Sequence, residues 1–484
     1  MLQTLKNAWK TKDIRSKIIF TLFILVLYRI GTVIPVPFVS ANNFGSYFGG
    51  TILDYMNTLS GGSLATATLF ALGVSPYINA SIIIQLLAVV FPKLGELAKN
   101  DKEKMNFITR IVTVVLAIVT AIGYYFLLKN SGMLANAADP EDNPTMFWFY
   151  GIVIIACYVA GASIIMWLAE RINERGLGNG ISIILFANIV SSIPSLIINL
   201  VNLVISTYQY SEKAWLFGII STIFAIALLA FLVSLVIFIV WVTGSERRIP
   251  VQYAKRVVGR KMYGGQSSNI PLKLNMTGVM PIIFASSIVS LVPTILALCG
   301  VTSETKGFWG GLNRVLASNG VVYPVTLFIL IIAFAYFYTQ ITFDPMEVSN
   351  NLKRQGGAIP GIRQGRPTAD YIRKILNKVT LVGALFLGII AVLPVIAGPH
   401  ILQHIIEWIM SGSDLAKEIA KYSADSGTSW YATYLQGQID STVSGLTSMF
   451  TFGGTSILIV VGVAIETFRE LEAQLTMRNY KGFL

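Results

Sequence analysis

Long apolar runs alternate with short polar segments along the whole chain. Ten of these runs reach the roughly 20 residues that a helix needs to cross the hydrocarbon core of a membrane. They lie near residues 18–37, 65–91, 107–128, 146–169, 180–205, 214–242, 274–298, 321–343, 379–398 and 446–465. The pattern predicts an all-α polytopic membrane protein with ten transmembrane helices.

One pattern of eleven residues occurs twice. Residues 73–83 and 278–288 both read G-V-x-P-x-I-x-A-S-x-I, inside the second and seventh apolar runs. Proline lacks a backbone donor and clashes with the preceding turn, so each copy should open or kink its helix. Broken helices at matching places in two halves indicate a transport path between those halves. The alternative is two independent proline kinks.

The basic residues fix the predicted topology. The chain is 54% hydrophobic and 12% charged, and its net charge is +12. Of 36 lysines and arginines, 29 fall in the two termini and in the loops that share their side, and 6 fall on the opposite side. Positive charge marks the cytoplasmic side of a membrane protein, so both termini should be cytoplasmic. In a soluble protein the same net charge would have indicated nucleic acid.

The apolar runs contain almost no ionisable side chains. Arg29 is the one clear ionisable residue within them, and His400 and His404 lie outside. Ion-coupled transporters usually need buried carboxylates or histidines as relays, so a pump is disfavoured. The chain has no phosphate-binding G-x-x-x-x-G-K-[ST] loop, and Cys157 and Cys299 do not form a disulfide framework. We expect no catalytic residue, no metal site and no cofactor.

A short amphipathic segment follows the first apolar run. Ile52, Tyr55, Met56 and Leu59 fall on one helical face, and Gly61 and Gly62 follow. The segment is too short to span a membrane. Periodicity alone favours a helix lying flat on the outer interface, and a re-entrant plug is the alternative.

Two basic cytoplasmic loops, 243–273 and 344–378, are longer than topology anchors require. The first alternates apolar and basic residues around a Gly-Gly pair, which indicates a short hairpin. The second has a Gly-Pro-rich, non-helical tip. Arginine suits phosphate and carboxylate partners. The candidate partner-binding residues are Arg247, Arg248, Lys255, Arg256, Lys353, Arg354, Arg363 and Arg366. The alternative is that these residues only anchor the loops inside.

Several sequence motifs occur in the same order along the chain as in a known protein family. They are residues 34–37 (I-P-V-P), 60–62, 73–87, 174–182, 247–256, 356–363 and 453–459. With them the chain resembles the SecY family, the channel subunits of the bacterial protein translocase, essentially end to end. The resemblance implies a clamshell of two pseudo-symmetric, inverted-repeat halves of five helices each. Residues 1–208 would form one half, with a plug at 51–64, and residues 209–484 the other.

The resemblance also implies three sets of site residues. It reverses the flat reading of the short segment, and assigns the plug to Ile52, Leu53, Tyr55, Met56, Leu59, Gly61 and Gly62. A lateral gate toward lipid would contain Asn79, Gln85 and Asn275. A ring that seals the pore by dewetting would consist of Val74, Ile78, Ile181, Leu185, Ile283 and Ile459. From the residues alone, each of these aliphatics is more simply a packed core residue.

The expected function is a passive channel in the bacterial plasma membrane for unfolded secretory polypeptides, which releases apolar segments sideways into the lipid bilayer. The resemblance implies the small subunits SecE and SecG, and either the motor ATPase SecA or a translating ribosome on the basic loops. The runner-up is a secondary transporter with inverted repeats, which should show a charged or coordinating site near the midplane. A structural scaffold would not need a doubled Gly-Pro break.

The outer loop 399–445 is longer than the family usually shows. Apolar residues in 401–410 recur at helical spacing, with Trp408 suited to the headgroup level. We expect this helix to lie on the outer interface or against the channel mouth, with Ile405 protected, followed by a second helix at 414–422. A disordered insertion is the alternative.

Overall fold

The helices account for most of the chain. The computed structural model describes residues 2–40, 52–134, 144–209, 214–253, 256–258, 261–263, 267–298, 307–316, 320, 322–412, 442–443, 445–447, 450–451 and 453–481. Helices before residue 245 are α1 (Leu2–Lys10), α2 (Lys12–Gly31), α3 (Ile52–Leu59), α4 (Ser75–Val90), α5 (Pro92–Asn100), α6 (Lys102–Asn130), α7 (Pro144–Arg175), α8 (Gly180–Gln209) and α9 (Ala214–Gly244). Later helices are α10 (Met280–Leu298), α11 (Phe308–Leu316), α12 (Val322–Thr342), α13 (Pro345–Arg354), α14 (Arg366–Ala397), α15 (Gln403–Gly412) and α16 (Gly453–Lys481).

Six described helices are long and apolar enough to cross a membrane, so the chain is a multi-pass membrane protein. A seventh span is present if α4 and α5, which meet at an angle of 117°, count as one broken helix. The other three of the ten predicted runs correspond to α2, α10 and α16. Their length and composition do not by themselves identify spans, because α2 and α16 carry charged ends and the apolar part of α10 is short. The ten-helix layout therefore stays a prediction.

The all-α expectation is wrong for the two long basic loops, which contain strands. These are β1 (Glu246–Tyr253), β2 (Arg256–Val258), β3 (Lys261–Tyr263), β4 (Ser267–Lys273) and β5 (Gly357–Ala358). Strand β1 pairs antiparallel with β4, with Glu246 opposite Lys273, and also with β5. Strands β2 and β3, which lie between β1 and β4 in the sequence, pair antiparallel as a separate two-stranded sheet. The hairpin read from alternating residues is confirmed, and its second edge is supplied by the other basic loop.

Each copy of the repeated motif starts a helix instead of bending one. Gly73 and Gly278 both adopt positive φ, +57° and +65°, and α4 and α10 begin two residues later. Residues 60–74, which the apolar pattern had merged into the second span, form turns. Their backbone is satisfied from outside, because Tyr124 and Tyr158 donate to the carbonyls of Leu64 and Ala67. Such partners are what irregular backbone needs at membrane depth.

Helix α14 continues into the segment that was predicted as an outer loop. Helix α14 passes through one π-helical turn, Gly398–Leu402, into α15. Leu402, Ile406 and Ile409 are buried, and the first two pack on α8 and α9. Ile401, Ile405 and Trp408 are exposed on the protein surface. The predicted helix is confirmed as α15, whereas protection of Ile405 by the outer interface stays a prediction. The second helix predicted at 414–422 lies outside the described residues.

Candidate functional site

Six aliphatic residues predicted for the pore meet in one apolar cluster at the centre of the bundle. Five of them are at most 4% exposed, and Ile181 packs against them half-buried. The six come from α4, α8, α10 and α16 and from the turn before α4. The cluster therefore joins elements from both ends of the chain.

The repeated motif places two of these residues by the same local geometry. The carbonyl of Val74 accepts from the amide of Ile78 at 3.0 Å, and the carbonyl of Val279 accepts from the amide of Ile283 at 3.1 Å. Each isoleucine thus lies in the first turn of its helix, one on α4 and one on α10. The shared sequence gives a shared backbone break and a shared inward-facing isoleucine.

The predicted plug residues form α3 and the turn after it. Helix α3 contacts α8 and α10, so it lies inside the bundle, between the two parts of the chain. Leu59 joins the central cluster, whereas Leu53 and Met56 pack in a neighbouring cluster with α6 and α7. Ile52 and Tyr55 belong to the same helix. Gly61 and Gly62 follow it with φ of +68° and +88°.

Sequence reasoning missed the polar residues that contact α3. Asn188 on α8 donates to the Leu59 carbonyl at 2.7 Å, and Thr294 on α10 donates to the Met56 sulfur at 3.2 Å. The signal for Asn188 was present, because it is an amide inside an apolar run. A buried amide in such a run needs a partner, and here the partner is α3.

One predicted gate residue bridges α4 and α12. The Tyr338 hydroxyl donates to the Gln85 side-chain oxygen at 2.6 Å, and the Gln85 amide donates to Ser81 at 2.9 Å. The Tyr338 ring also packs on Phe284 of α10, with centroids 5.0 Å apart. Tyr338 was not predicted, although a tyrosine within an apolar helix usually finds a partner for its hydroxyl.

The other two predicted gate residues, Asn79 and Asn275, make no hydrogen bond to Gln85 in the part of the chain that the structure describes. Asn79 lies on α4, and its side-chain oxygen is buried without a hydrogen bond among the described residues. Asn275 is half-buried in the bend before α10. Helix α10 does contact both α4 and α6, so these helices meet along the seam where the gate was expected.

The two long basic loops form one folded unit, here named the loop body, rather than two separate loops. Its core joins the sheet to α13 and the start of α14, through Ile249, Val251, Leu272, Leu352, Ile359 and Ile372. At the membrane-proximal end of β4, burial lowers the pKa of Lys273, and the nearby Arg469 guanidinium lowers it further. The loops can therefore present one shared surface.

Most of the predicted contact residues lie on the outside of this loop body. Six of the eight are exposed: Arg247, Arg248, Lys353, Arg354, Arg363 and Arg366. Arg256 belongs to β2, and Lys255 lies outside the described residues.

The tip that bears Arg363 is held by hydrogen bonds from side chains to backbone carbonyls. Thr368 donates to the Arg363 carbonyl at 2.8 Å, and Ser349 donates to the Gly365 carbonyl at 2.7 Å. Gln364 donates to the Gly357 carbonyl at 3.1 Å, which ties the tip to β5. An exposed arginine on a fixed backbone is suited to a geometrically specific contact.

Comparison with known proteins identifies the family. The SecY family model matches residues 68–468. The protein translocase subunit SecY of Streptomyces galbus is 39% identical over 494 residues, covering all of both chains. The SecY subunit of Mycobacterium tuberculosis is 38% identical over 499 residues, again covering both chains. The chain belongs to the SecY family.

Solved SecY-type structures share the fold. One is a SecY protein whose plug domain is described as stabilising the closed state of the translocation channel and maintaining a membrane seal. It matches with a TM-score of 0.56 at 17% identity, over 95% of this chain and 92% of that one. A second protein-conducting channel matches with a TM-score of 0.55 at 16% identity and the same coverage. As a SecY-family member, this chain is a protein-translocation channel.

Proposed function

We propose that the described conformation is the closed state of a translocation channel, with the central apolar cluster as its seal. The observation that carries this is the convergence of six aliphatic residues, distant in sequence, into one buried cluster of a SecY-family chain. A narrow apolar constriction excludes ions by dewetting, yet it can deform around a polypeptide. The channel has no catalytic step.

The proposed architecture has ten spans in two five-helix halves, residues 1–208 and 209–484. The repeated motif supports this architecture, because it starts α4 in the first half and α10 in the second. The basic residues concentrate on the side of the sheet and of both termini. That side is the cytoplasm under the positive-inside rule, and the membrane is the bacterial plasma membrane.

Helix α3 is the proposed plug. It lies between α8 and α10, and Leu59 reaches the central cluster. Its contacts with both parts of the chain mean that it must move when they separate. The cluster and the plug would then open together.

The seam between α4 and α12 is the proposed lateral gate, with Gln85 and Tyr338 as its polar contact. A hydrogen bond within lipid is reversible and of modest strength, about 1 kcal/mol. Breaking it would let apolar segments leave toward the bilayer. Asn79 on α4 and Asn275 in the bend before α10 stay proposed members of the gate.

The exposed arginines of the loop body are the proposed cytoplasmic docking site for the partner that drives transport. The motor ATPase SecA and the translating ribosome are the two candidates, and SecE and SecG are the expected small subunits. Among the solved neighbours, one is a Sec61 channel in a ribosome complex, with a TM-score of 0.50. Arginine on a pinned tip offers phosphate or carboxylate groups a fixed geometry.

A secondary transporter is the rival proposal, and the buried cluster disfavours it. The rival requires charged or coordinating side chains near the midplane. Among the described residues, the buried polar side chains are serines, threonines and Asn188, and none is charged or a histidine.

The test is reconstitution into liposomes with SecE, SecG and SecA. A secretory precursor added outside with ATP should become protected from protease, and omission of SecA should abolish protection. If the precursor stays fully digestible while the same subunits from a known SecY complex protect it, the proposed transport function is wrong.

A further inference from the structure

The end of the plug helix is held by a polar group from another helix. The last four carbonyls of a helix have no intrahelical partner. In α3, the carbonyls of Met56, Asn57 and Thr58 are satisfied by the amides of Ser60, Gly62 and Gly61, at 2.9, 2.8 and 3.1 Å. The carbonyl of Leu59 remains, and Asn188 of α8 donates to it at 2.7 Å. Asn188 thereby completes the cap of α3.

Asn188 is itself fixed in place. It is 0% exposed beside the apolar cluster that contains Tyr28 and Leu59, and the same amide nitrogen donates to the Tyr28 hydroxyl at 2.8 Å. The Tyr28 ring stacks on Phe70 with centroids 5.4 Å apart. A buried amide without partners is costly, so its position is set by the groups that it reaches.

Arg29, the one charge that the sequence placed inside a span, lies on the same side. Its guanidinium donates to the Ala187 carbonyl at 3.1 Å, one residue before Asn188. A side chain at Gly61 would begin 2.9 Å from the Asn188 oxygen and 3.2 Å from an Arg29 nitrogen. Gly61 is therefore enclosed by the two polar groups. A cation near a helix C-terminus is favourable, and here that helix is α3.

From these contacts we infer that Asn188, Arg29 and Gly61 form a latch that holds the plug in its closed position. The inference rests on the proposed plug role of α3. The latch is reversible because a wetted pore offers water to both Asn188 and the Leu59 carbonyl once they part. A purely aliphatic contact would lack this directional preference for one plug position.

Four variants test the latch with matched controls. Asn188→Leu keeps the volume but leaves the Leu59 carbonyl without its donor. Gly61→Ala places a methyl group between Asn188 and Arg29. Gly62→Ala carries the same positive-φ strain, but its methyl group would meet nothing within 4 Å. Ser192→Ala removes a hydroxyl on α8 that donates to the Ile189 carbonyl of its own helix.

The readout is plug position, measured without transport. A cysteine at Ser63, which is 1% exposed, is placed in a background where Cys157 and Cys299 are alanine. A membrane-impermeant maleimide added outside reports displacement of the plug as faster labelling. We expect about tenfold faster labelling for Asn188→Leu, the scale of one lost buried hydrogen bond. Gly61→Ala should exceed Gly62→Ala severalfold, and Ser192→Ala should match the parent.

Equal labelling of all variants would overturn the latch, and so would equal effects of Gly61→Ala and Gly62→Ala. The glycine pair decides the outcome even if Asn188→Leu does not fold. Failure of the proposed function is distinguishable, because the parent channel would then not protect a precursor. A latch can fail while that protection persists.

Discussion

The centre of the bundle and the loop body bury the same kinds of side chain in different settings. Ile249 and Val251 belong to β1 and Leu272 belongs to β4, and these two strands are joined by a ladder of backbone hydrogen bonds. Ile78, Leu185 and Ile283 meet from separate helices, and the contact between those helices is made by side chains. Backbone ladders resist separation, whereas apolar side-chain contacts can be exchanged for contacts with a passing chain. The same residue types therefore make a fixed platform in one place and an openable seal in the other.

The comparison predicts that damage to the platform and damage to the seal have separate effects. Arg363→Glu should give the largest loss, a more than tenfold fall in SecA-driven export, because it reverses the charge on a pinned tip. Insertion, expression and resting ion conductance should be unchanged. Precursor protection and bilayer conductance measure the two effects. Normal export by this variant would favour the alternative, that the loop serves only as a topology anchor. Arg354→Glu makes the same change at a second exposed arginine of the loop body.

Ile249→Ala should weaken the platform by removing a side chain that is 1% exposed. Loss of a buried isoleucine typically destabilises by about 2–5 kcal/mol. We expect faster limited proteolysis within residues 246–273 and weaker docking of SecA, with no added ion leak. A leak from this variant would contradict the separation between platform and seal.

Gln85→Leu should have a smaller effect. It should lower the free energy needed to open the seam by about 1 kcal/mol, because it removes one hydrogen bond within lipid. The channel should open to the side more readily, seen as more efficient membrane insertion of a weakly apolar segment. Tyr338→Phe should act alike, because it removes the donor of the same bond. Tyr336→Phe is the matched control, since its hydroxyl donates to the Asn377 carbonyl away from the seam. Equal insertion by all three variants would remove Gln85 and Tyr338 from the gate.

Glu246→Gln should have the smallest effect. Its carboxylate pairs with Arg248 at 2.7 Å, but the arginine side chain is 68% exposed. Exposed ion pairs contribute roughly 0–1 kcal/mol. Export should stay within about twofold of the parent. A large loss would show that the pair itself, rather than the exposed arginines, is part of the docking surface.

Periodicity and the repeat predicted the helices and the place of their breaks, because both depend on local chemistry. The apolar pattern could not separate the buried turns at 60–74 from α4, since a satisfied turn and a helix bury the same residue types. Asn188 and Tyr338 were missed for a related reason. Their partners lie on helices distant in the chain, and only the folded arrangement brings them together.

The central claim is that the aliphatic cluster seals the resting channel, and ion conductance in planar bilayers tests it directly. Ile78→Ser, Ile181→Ser and Ile283→Ser combined should wet the constriction and raise resting conductance well above background. A control with Ile152→Ser, Ile223→Ser and Ile226→Ser makes the same chemical change on the exposed surface of α7 and α9. We predict a leak from the first triple variant and background conductance from the second. Background conductance from both would contradict the assignment of the pore.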